Sequence, residues 1–346
     1  MKIILDDINV KDQLYPFTAI KSAADIRIGI NTIKEKWEKL LHCPVLLQSE
    51  VNNLDKAGIT IPANIIPAKE SVEAVLKEGI HAFLKSNATR MLNHPMDIFK
   101  HNAWAIQQDF NFVTLDKTSQ PVCATNILIN PSQIFIEQGA IVEHSILNAT
   151  HGPVYIGKNV EIMEGCMIRG PFAICEGAVV KMGAKIYGAT TIGPYCVAAG
   201  EIKNSVIFGY SNKAHDGYLG DSVIGEWCNL GAGTSNSNIK NTAGTVKVWN
   251  NVEKKLSETT HKCGLLMGDY SRAGINTSFN TGTTIGICCN IFGESYPPKY
   301  VPDFSWGNEQ YQLEKAFNDI NNWKQLKEKS ITEQEKEILT ILFNKK

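Results

Sequence analysis

The sequence has no excess of charge of either sign and few cysteines for its length. Its 34 basic and 35 acidic residues leave a net charge of -1, which argues against nucleic acid as the main partner. The nine cysteines include no C-x-x-C pair and are too sparse for a disulfide-stabilised scaffold. No apolar run reaches the roughly 18 residues of a membrane-spanning helix, and the first residues lack a basic stretch followed by a long apolar one. These absences predict a cytoplasmic protein whose partners are neither membrane nor nucleic acid.

A six-residue repeat of aliphatic residues dominates the middle of the chain. It consists of Ile156, Ile162, Ile168, Ile174, Val180, Ile186 and Ile192. The positions four residues further on are mostly small, namely Val160, Cys166, Ala178, Ala184, Thr190 and Cys196, with Phe172 as the exception. Neither an α-helix nor an alternating β-strand gives a period of six. The repeat is typical of a left-handed parallel β-helix, in which three hexads form one triangular coil.

The same repeat resumes after an interruption and sets the domain organisation. The later members are Met267, Ala273, Phe279, Ile285 and Ile291, with Ile224 and Leu230 between the two runs and Ile136 and Val142 before them. The composition, 43% hydrophobic and 20% charged, gives a chain of this length enough apolar residues for two domains. We predict an α/β domain over 1–118, a linker over 119–131, the β-helix over 132–293 and two C-terminal helices within 294–346. Loops near 200–222 and 236–262 leave the repeat, and we expect the C-terminal helices to cover the open end of the prism or a neighbouring subunit.

The segment with the most distinctive motif is YSNKAHDGYLGDSVIGEWCNLGAGTSNSN, residues 210–238. It resembles the acetyltransferase domain of the bifunctional glucosamine-1-phosphate acetyltransferase/N-acetylglucosamine-1-phosphate uridyltransferases. In that family a loop of the form K-A-x-H-x-x-Y-L-G-D is followed by I-G-x-x-x-N-x-G-A-G-T and an asparagine. The resemblance covers roughly residues 132–293 and implies an acyltransferase that uses acetyl-CoA and a hexosamine phosphate.

The resemblance also implies roles for individual residues of this sequence. His215 matches the general base that accepts the proton of the sugar amine, and the Ala232 backbone N–H matches the oxyanion donor. The residues that match substrate-binding positions are Lys185, Lys203, Tyr218, Asn229, Asn238 and Lys247. Lys185 stands where the family has arginine, so the charge is kept but the two-pronged contact is lost. Independently of the family, imidazole is well suited to accept an amine proton near neutral pH.

Another enzyme class built on the same prism has a different requirement. Zinc carbonic anhydrases of the left-handed β-helix type need converging histidines, usually including a pair five residues apart. The eight histidines of this chain contain no such pair. The sequence therefore predicts no metal in the β-helix.

The opening MKIILDDINVKDQLYPFT, followed by Lys21, looks like the start of sugar-1-phosphate nucleotidyltransferases. In those enzymes a glycine-rich loop follows the first strand and its N–H groups bind the nucleotide phosphates. Here Asp6 and Asp7 stand in that loop, where they would repel a triphosphate unless they held Mg²⁺ to it. The resemblance implies a shortened, degenerate nucleotidyltransferase-like domain, with Asp6, Asp7 and Lys21 as weak candidates for nucleotide binding.

Three functions remain open from the sequence. The first is N-acetyl transfer from acetyl-CoA to a hexosamine 1-phosphate. The others are sugar-1-phosphate nucleotidyl transfer by the N-terminal domain, and a non-catalytic trimeric protein that binds a sugar nucleotide. The family resemblance further implies a homotrimer with its sites between neighbouring prisms, and we expect the loop at 236–262 to reach across to a neighbour.

Overall fold

The computed structural model describes residues 2–51, 58–78 and 89–345. The N-terminal region contains a three-stranded parallel sheet in which Ile3–Asp6 lies between Leu46–Leu47 and Ile59–Pro62. Two antiparallel pairs accompany it, Arg27–Ile28 with Asn31–Thr32 and Ile65–Ile66 with Arg90–Met91. The helices of this region are α1 (Ile33–Leu41), α2 (Lys69–Glu78) and α3 (Asp97–Val113). Short 3₁₀ turns in the described chain are Asp12–Leu14, Ala23–Asp25, Gln48–Glu50 and Pro131–Gln133.

A left-handed parallel β-helix follows, and its three faces are parallel sheets. Face one contains Ile134–Ile136, Val154–Ile156, Phe172–Ile174, Thr190–Ile192, Val206–Ile207, Val223–Ile224, Leu265–Met267, Thr283–Ile285 and Tyr300–Val301. Face two contains Ile141–Val142, Glu161–Ile162, Val179–Val180, Val197–Ala198, Asn212–Lys213, Asn229–Leu230, Arg272–Ala273, Asn290–Ile291 and Ser305–Trp306, with Glu309–Gln310 added antiparallel. Face three contains Ile127–Ile129, Ile146–Asn148, Met167–Arg169, Lys185–Ile186, Glu201–Lys203 and Tyr218–Gly220, and Ser235–Asn236 paired with Ser278–Phe279 continues beside them.

The aliphatic repeat forms the core of the prism, as the sequence predicts. Ile156, Ile162 and Ile168 lie on the three faces in turn, and all the repeat positions named above are buried in one hydrophobic cluster. Each hexad advances the chain by one face, so every sixth side chain points inward. The parallel pairing extends beyond the range 132–293, because Ile127–Ile129 pairs with Ile146–Asn148 and Ser305–Trp306 follows Asn290–Ile291.

The loop at 236–262 takes a path that the sequence does not predict. Its strands Val246–Asn250 and Lys255–Thr260 form an antiparallel hairpin. Val246 and Val248 are buried in the hydrophobic cluster that also contains the N-terminal sheet. The apolar side of the hairpin is therefore buried against its own chain, whereas Lys255–Thr260 stays largely exposed, and the contact of this loop with a neighbouring copy stays a prediction.

The N-terminal region packs directly on face one of the prism. The Phe17 and Phe208 rings lie 5.5 Å apart, and both side chains are fully buried. Asn102 of α3 accepts a hydrogen bond from the Gly29 N–H and donates one to the Ala189 carbonyl at 2.9 Å, which links the two regions through polar contacts as well. Buried hydrogen bonds of this kind fix the relative position of the two regions.

The C-terminal extension forms α4 (Leu313–Gln325) and α5 (Glu333–Asn344). The start of α5 is the predicted capping box, in which Thr332 and Glu335 bond to each other's backbone N–H groups. The helices lie along the side of the prism rather than over its end. The Lys324 ammonium lies over the Trp227 ring and the Lys329 ammonium over the Tyr210 ring, and these two rings belong to consecutive coils. No helix of the described chain is long and apolar enough to cross a membrane.

Candidate functional site

The predicted general base lies on a tight corner of the prism. His215 is exposed between Asn212–Lys213 on face two and Tyr218–Gly220 on face three. Gly217 has a φ of 123°, and a Cβ at this position would lie 2.1 Å from the Thr234 carbonyl oxygen. Only glycine fits this close approach, so it fixes the path between His215 and Tyr218.

A buried lysine holds this corner in place. Lys213 occupies an inward position of face two, beside Ala198 of the preceding coil, and is only 2% exposed. Its ammonium group donates to the carbonyl oxygens of Ala199, at 3.3 Å, and of His215. Burial lowers the pKa of Lys213 to about 8, with Asp216 opposing the shift. The lysine therefore ties the backbone of the His215 corner to the coil before it.

The predicted oxyanion donor adjoins the same corner. Ala232 lies in the turn that follows Asn229–Leu230, and the next residue, Gly233, donates its N–H to the Asp216 carbonyl at 3.1 Å. The Ala232 carbonyl accepts from the Asn276 N–H at 2.6 Å, whereas its own N–H donates to no residue of the described chain. One coil thus places an uncommitted backbone donor next to the loop that carries His215.

Tyr218 and Asn238 form a polar pair on the surface of face three. The Asn238 amide donates to the Tyr218 hydroxyl at 3.1 Å and also to the Asp221 carboxylate. Asp221 also accepts a hydrogen bond from the Asn204 amide, so the carboxylate that orients Asn238 is itself fixed in position. Burial, together with the Asp221 and Glu201 carboxylates, raises the pKa of Tyr218 to about 12. Its hydroxyl stays protonated and can donate to a ligand.

The two predicted phosphate-binding lysines lie on this face as well. Lys185 is in register with Glu201, which is in register with Tyr218, and Lys203 is in register with Gly220. Both lysines are exposed, and neither forms an ion pair with another described residue. Together with Tyr218 and Asn238, they make one polar surface.

Sequence reasoning missed two acidic residues of this surface. Asp221 orients Asn238, and Glu201 stands between Lys185 and Tyr218 in the register of face three. Asp221 was readable from the sequence as the last residue of the Y-L-G-D motif. Glu201 had no such signal, since it lies where the hexad repeat is interrupted.

Two other predicted residues lie elsewhere in the chain. Asn229 is on face two, in register with Asn212 and Arg272. Lys247 is exposed on the hairpin, opposite Glu258. A single chain therefore brings together His215, the Ala232 N–H and the residues of face three, while Asn229 and Lys247 face other directions.

The candidates for nucleotide binding are held by contacts within the chain. The Asp6 carboxylate accepts from the Ile8 and Asn9 N–H groups, at 3.2 and 3.3 Å, and from the Asn9 amide at 2.7 Å. Asp7 accepts from the Ser49 N–H and hydroxyl at 3.1 and 2.7 Å. The loop N–H groups that would meet a phosphate thus already bind a carboxylate of the chain.

Lys21 faces the prism instead of an open nucleotide site. Its ammonium lies 3.1 Å from the Asp269 carboxylate and 3.4 Å from that of Glu226, and its side chain is largely buried. The described residues contain no group of three or more His, Cys, Asp or Glu side chains that could hold a metal. A Mg²⁺ ion held by Asp6 and Asp7 would have to share their oxygens with the loop N–H groups and with Ser49.

Known proteins match both the N-terminal region and longer parts of the chain. The family described as sugar nucleotidyl transferase matches residues 2–84. The bifunctional protein GlmU of Methanocaldococcus jannaschii is 40% identical over 26% of this chain and 22% of its own length. A bifunctional sugar-1-phosphate nucleotidylyltransferase/acetyltransferase of Sulfurisphaera tokodaii is 34% identical over 39% of this chain and 38% of its own. The bifunctional protein GlmU of Synechococcus elongatus is 27% identical over 55% of this chain and 38% of its own.

These matches cover well under half of each relative's length. The family match ends before α3, which agrees with a shortened N-terminal domain. The chain is thus similar to the bifunctional sugar-1-phosphate nucleotidyltransferase/acetyltransferases, with a shortened nucleotidyltransferase-like domain followed by a left-handed β-helix.

Proposed function

We propose that the protein is an N-acetyltransferase that transfers the acetyl group of acetyl-CoA to the amine of a hexosamine 1-phosphate. One observation carries the proposal. The corner at His215 adjoins the uncommitted Ala232 N–H and the Tyr218–Asn238 pair, on a face with two unpaired lysines. These are the groups that acyl transfer to a phosphorylated amine requires: a proton acceptor, an oxyanion donor and cations for the phosphate.

The proposed reaction follows from these groups. The neutral amine attacks the thioester carbonyl carbon, so that an N–C bond forms while the oxygen gains charge. The Ala232 N–H stabilises this oxygen, and the His215 imidazole accepts the proton that the amine loses. The C–S bond then breaks, and the CoA sulfur leaves with a proton returned by His215. The hydrogen bond from Lys213 to the His215 carbonyl keeps the corner in place during both steps.

The lysines would bind and select the acceptor. Lys203 and Lys185 have no carboxylate partner among the described residues, and their two positive charges suit a phosphate monoester. The protonated Tyr218 hydroxyl can donate to a sugar hydroxyl oxygen. The side-chain carbonyl of Asn238 can accept from a sugar hydroxyl, since both amide N–H groups already bond to Tyr218 and Asp221. Because both are already held by Asp221 and its neighbours, little conformational freedom is lost when the sugar binds.

We infer that the complete site forms between two copies in a homotrimer. Asn229, which also matches a substrate contact of the family, lies on face two, and we infer that it meets a sugar bound on face three of a neighbouring copy. The first coils of face three also expose a run of apolar side chains, Ile127, Ile129 and Met167, where a second prism could pack.

Mixing two variants tests this arrangement. His215→Ala and Asn229→Ala should each be much less active than the wild type. Co-expressed in equal amounts, they should recover about a quarter of wild-type activity, since about that share of interfaces in random trimers pairs an intact His215 with an intact Asn229. Tagged copies of the two variants, purified together, allow the measurement. If mixing restores nothing although the material purified through both tags is trimeric by light scattering, each site is complete within one chain.

The N-terminal domain would serve this enzyme as a structural partner of the prism. The Asp6 carboxylate occupies the loop N–H groups, and Lys21 binds Asp269 and Glu226. A triphosphate would have to displace both sets of contacts. These contacts favour acetyl transfer over nucleotidyl transfer as the activity of the chain.

The activity itself is tested with acetyl-CoA and a panel of hexosamine 1-phosphates. We expect release of free CoA with at least one of them, and a much lower kcat/KM with the same sugar lacking its phosphate. N-acetylated product in the mass spectrum checks that the amine is the acceptor. Binding of the sugar phosphate without any CoA release would favour the non-catalytic alternative.

A further inference from the structure

An open cavity of about 480 Å³ lies next to the candidate site and has no role in the mechanism above. Ser237 and Ile239, the two neighbours of Asn238, form part of its wall, and Lys240 and Lys299 contribute its charged groups. The Ser237 N–H donates to the Phe279 carbonyl at 2.9 Å, which places the cavity on the continuation of face three. The cavity is therefore on the same surface as Tyr218 and Asn238.

The two lysines of the cavity have no acidic partner among the described residues. No carboxylate is among the described residues that line the cavity, and neither lysine forms an ion pair with the described chain. The Lys299 ammonium is fixed by the Thr281 carbonyl and, at 3.1 Å, by the Thr281 hydroxyl. Burial and the charge of Lys240 lower the pKa of Lys299. A fixed cation beside a second one, without a counter-ion, suits a ligand that brings negative charge.

The position of the cavity separates it from the predicted phosphate clamp. Lys203 is paired with Gly220 of the next strand on face three. The Gly220 N–H donates to the Asn236 side chain, which belongs to the strand after that. Two strand spacings make about 10 Å, so Lys203 and the cavity lie on opposite sides of the Tyr218–Asn238 pair.

We propose that Lys240 and Lys299 form a second phosphate-binding site, which holds a phosphate ester of one of the two substrates beside Asn238. The ester belongs either to CoA, which carries a 3′-phosphate and a pyrophosphate, or to the hexosamine 1-phosphate. The assignment of these two substrates rests on the proposed function. The presence of an anion site in this cavity does not.

Binding measurements by calorimetry test the site without turnover. The probes are CoA, dephospho-CoA, which lacks only the 3′-phosphate, and glucosamine 1-phosphate. The variants are Lys240→Gln, Lys299→Gln and both together, with the exposed Lys158→Gln as a control for the loss of one charge. In the double variant, Kd for one probe should rise by about 10- to 100-fold, the factor expected for lost charge-assisted contacts, while Lys158→Gln changes little.

The pattern of losses identifies the source of the phosphate. A rise in Kd for CoA places its nucleotide end in the cavity, and a smaller rise for dephospho-CoA identifies the 3′-phosphate. A rise for glucosamine 1-phosphate alone assigns the cavity to the sugar. Unchanged Kd values for all probes, or equal losses with Lys158→Gln, would overturn the proposal. The Lys240 ammonium donates no hydrogen bond to the described residues, and its replacement leaves the Thr281 contact of Lys299 in place. The single variant Lys240→Gln therefore tests the site even if Lys299→Gln unfolds.

The two proposals can fail separately. Lysine-dependent binding of CoA without acetyl transfer would leave the site in place and remove the proposed reaction. If the protein transfers acetyl groups and the double variant leaves the KM values unchanged, the proposed reaction stands and the second phosphate site is ruled out.

Discussion

Replacing His215 by alanine should lower kcat for acetyl transfer by about 10²- to 10⁴-fold, the usual cost of losing a general base. The imidazole is exposed at the corner and packs in no hydrophobic cluster, so its removal creates no cavity. Lys213 bonds to the backbone carbonyl of residue 215, and this contact survives the substitution. We therefore expect unchanged thermal stability and oligomeric state beside the large loss of rate.

The pH profile separates a base from a binding residue. The wild-type rate should fall in acid, because a protonated imidazole cannot accept the proton of the amine. The alanine variant should lose the imidazole's contribution to this acid limb and keep only the part that protonation of the substrate amine causes in both enzymes. His151→Ala is the matched control, since His151 is another exposed histidine in a turn of the same prism. A His215→Ala enzyme with near-normal kcat and an intact acid limb would remove His215 from the mechanism.

The prism could be predicted from the sequence because its core follows a local rule. Each inward side chain is set by its place in a hexad, and the repeat positions from Ile136 to Ile291 all lie in one buried cluster. The rule fails where the chain departs from it. Lys213 also points inward, at a position that an aliphatic residue fills in the neighbouring coils. It falls in the interruption at 200–222, where the hexad repeat no longer indicates which side chains point inward.

The contacts between distant parts of the chain had no signal in the sequence. The hairpin at Val246–Asn250 packs on its own N-terminal domain because Val246 and Val248 find an apolar surface there. No periodic pattern in the sequence predicts such a contact. For the candidate site, too, some residues could be identified from the sequence and others could not. The motif at residues 213–238 indicated His215, Tyr218 and Asn238 as candidates, whereas the supporting contacts of Lys213 and Asp221 required the structure.

Lys21 shows most clearly what a motif alone cannot tell. Its position after Y-P-F-T suggests a lysine that meets nucleotide phosphates. In the structure it meets the carboxylates of Asp269 and Glu226, more than two hundred residues later in the chain. Asp269 is almost fully buried and also accepts a hydrogen bond from the Glu226 N–H at 2.7 Å. The ion pair therefore joins the N-terminal domain to the prism.

Replacing Lys21 by methionine should lower the free energy of unfolding by about 3–5 kcal/mol, the cost of leaving a buried charge without its partner. The aliphatic part of the side chain is kept, so the loss reflects the ammonium group. Asp269 would remain buried beside Glu226, with one like charge nearby and no cation. Denaturant unfolding, followed by the fluorescence of the buried Trp37 and by circular dichroism, measures the change.

Two further variants assign the cause. Lys11→Met removes an exposed lysine of the same domain and should cost less than about 0.5 kcal/mol, as for an ordinary surface substitution. In Lys21→Met combined with Asp269→Asn, the unpaired charge is gone, so the double variant should lose less stability than the two single losses added together.

A lysine kept for nucleotide binding would behave differently. Its methionine variant would unfold at the same denaturant concentration as the wild type without ligand, and would lose only the stabilisation that UTP and Mg²⁺ give. Such a result would return Lys21 to a nucleotide site and the N-terminal domain to a role in nucleotidyl transfer.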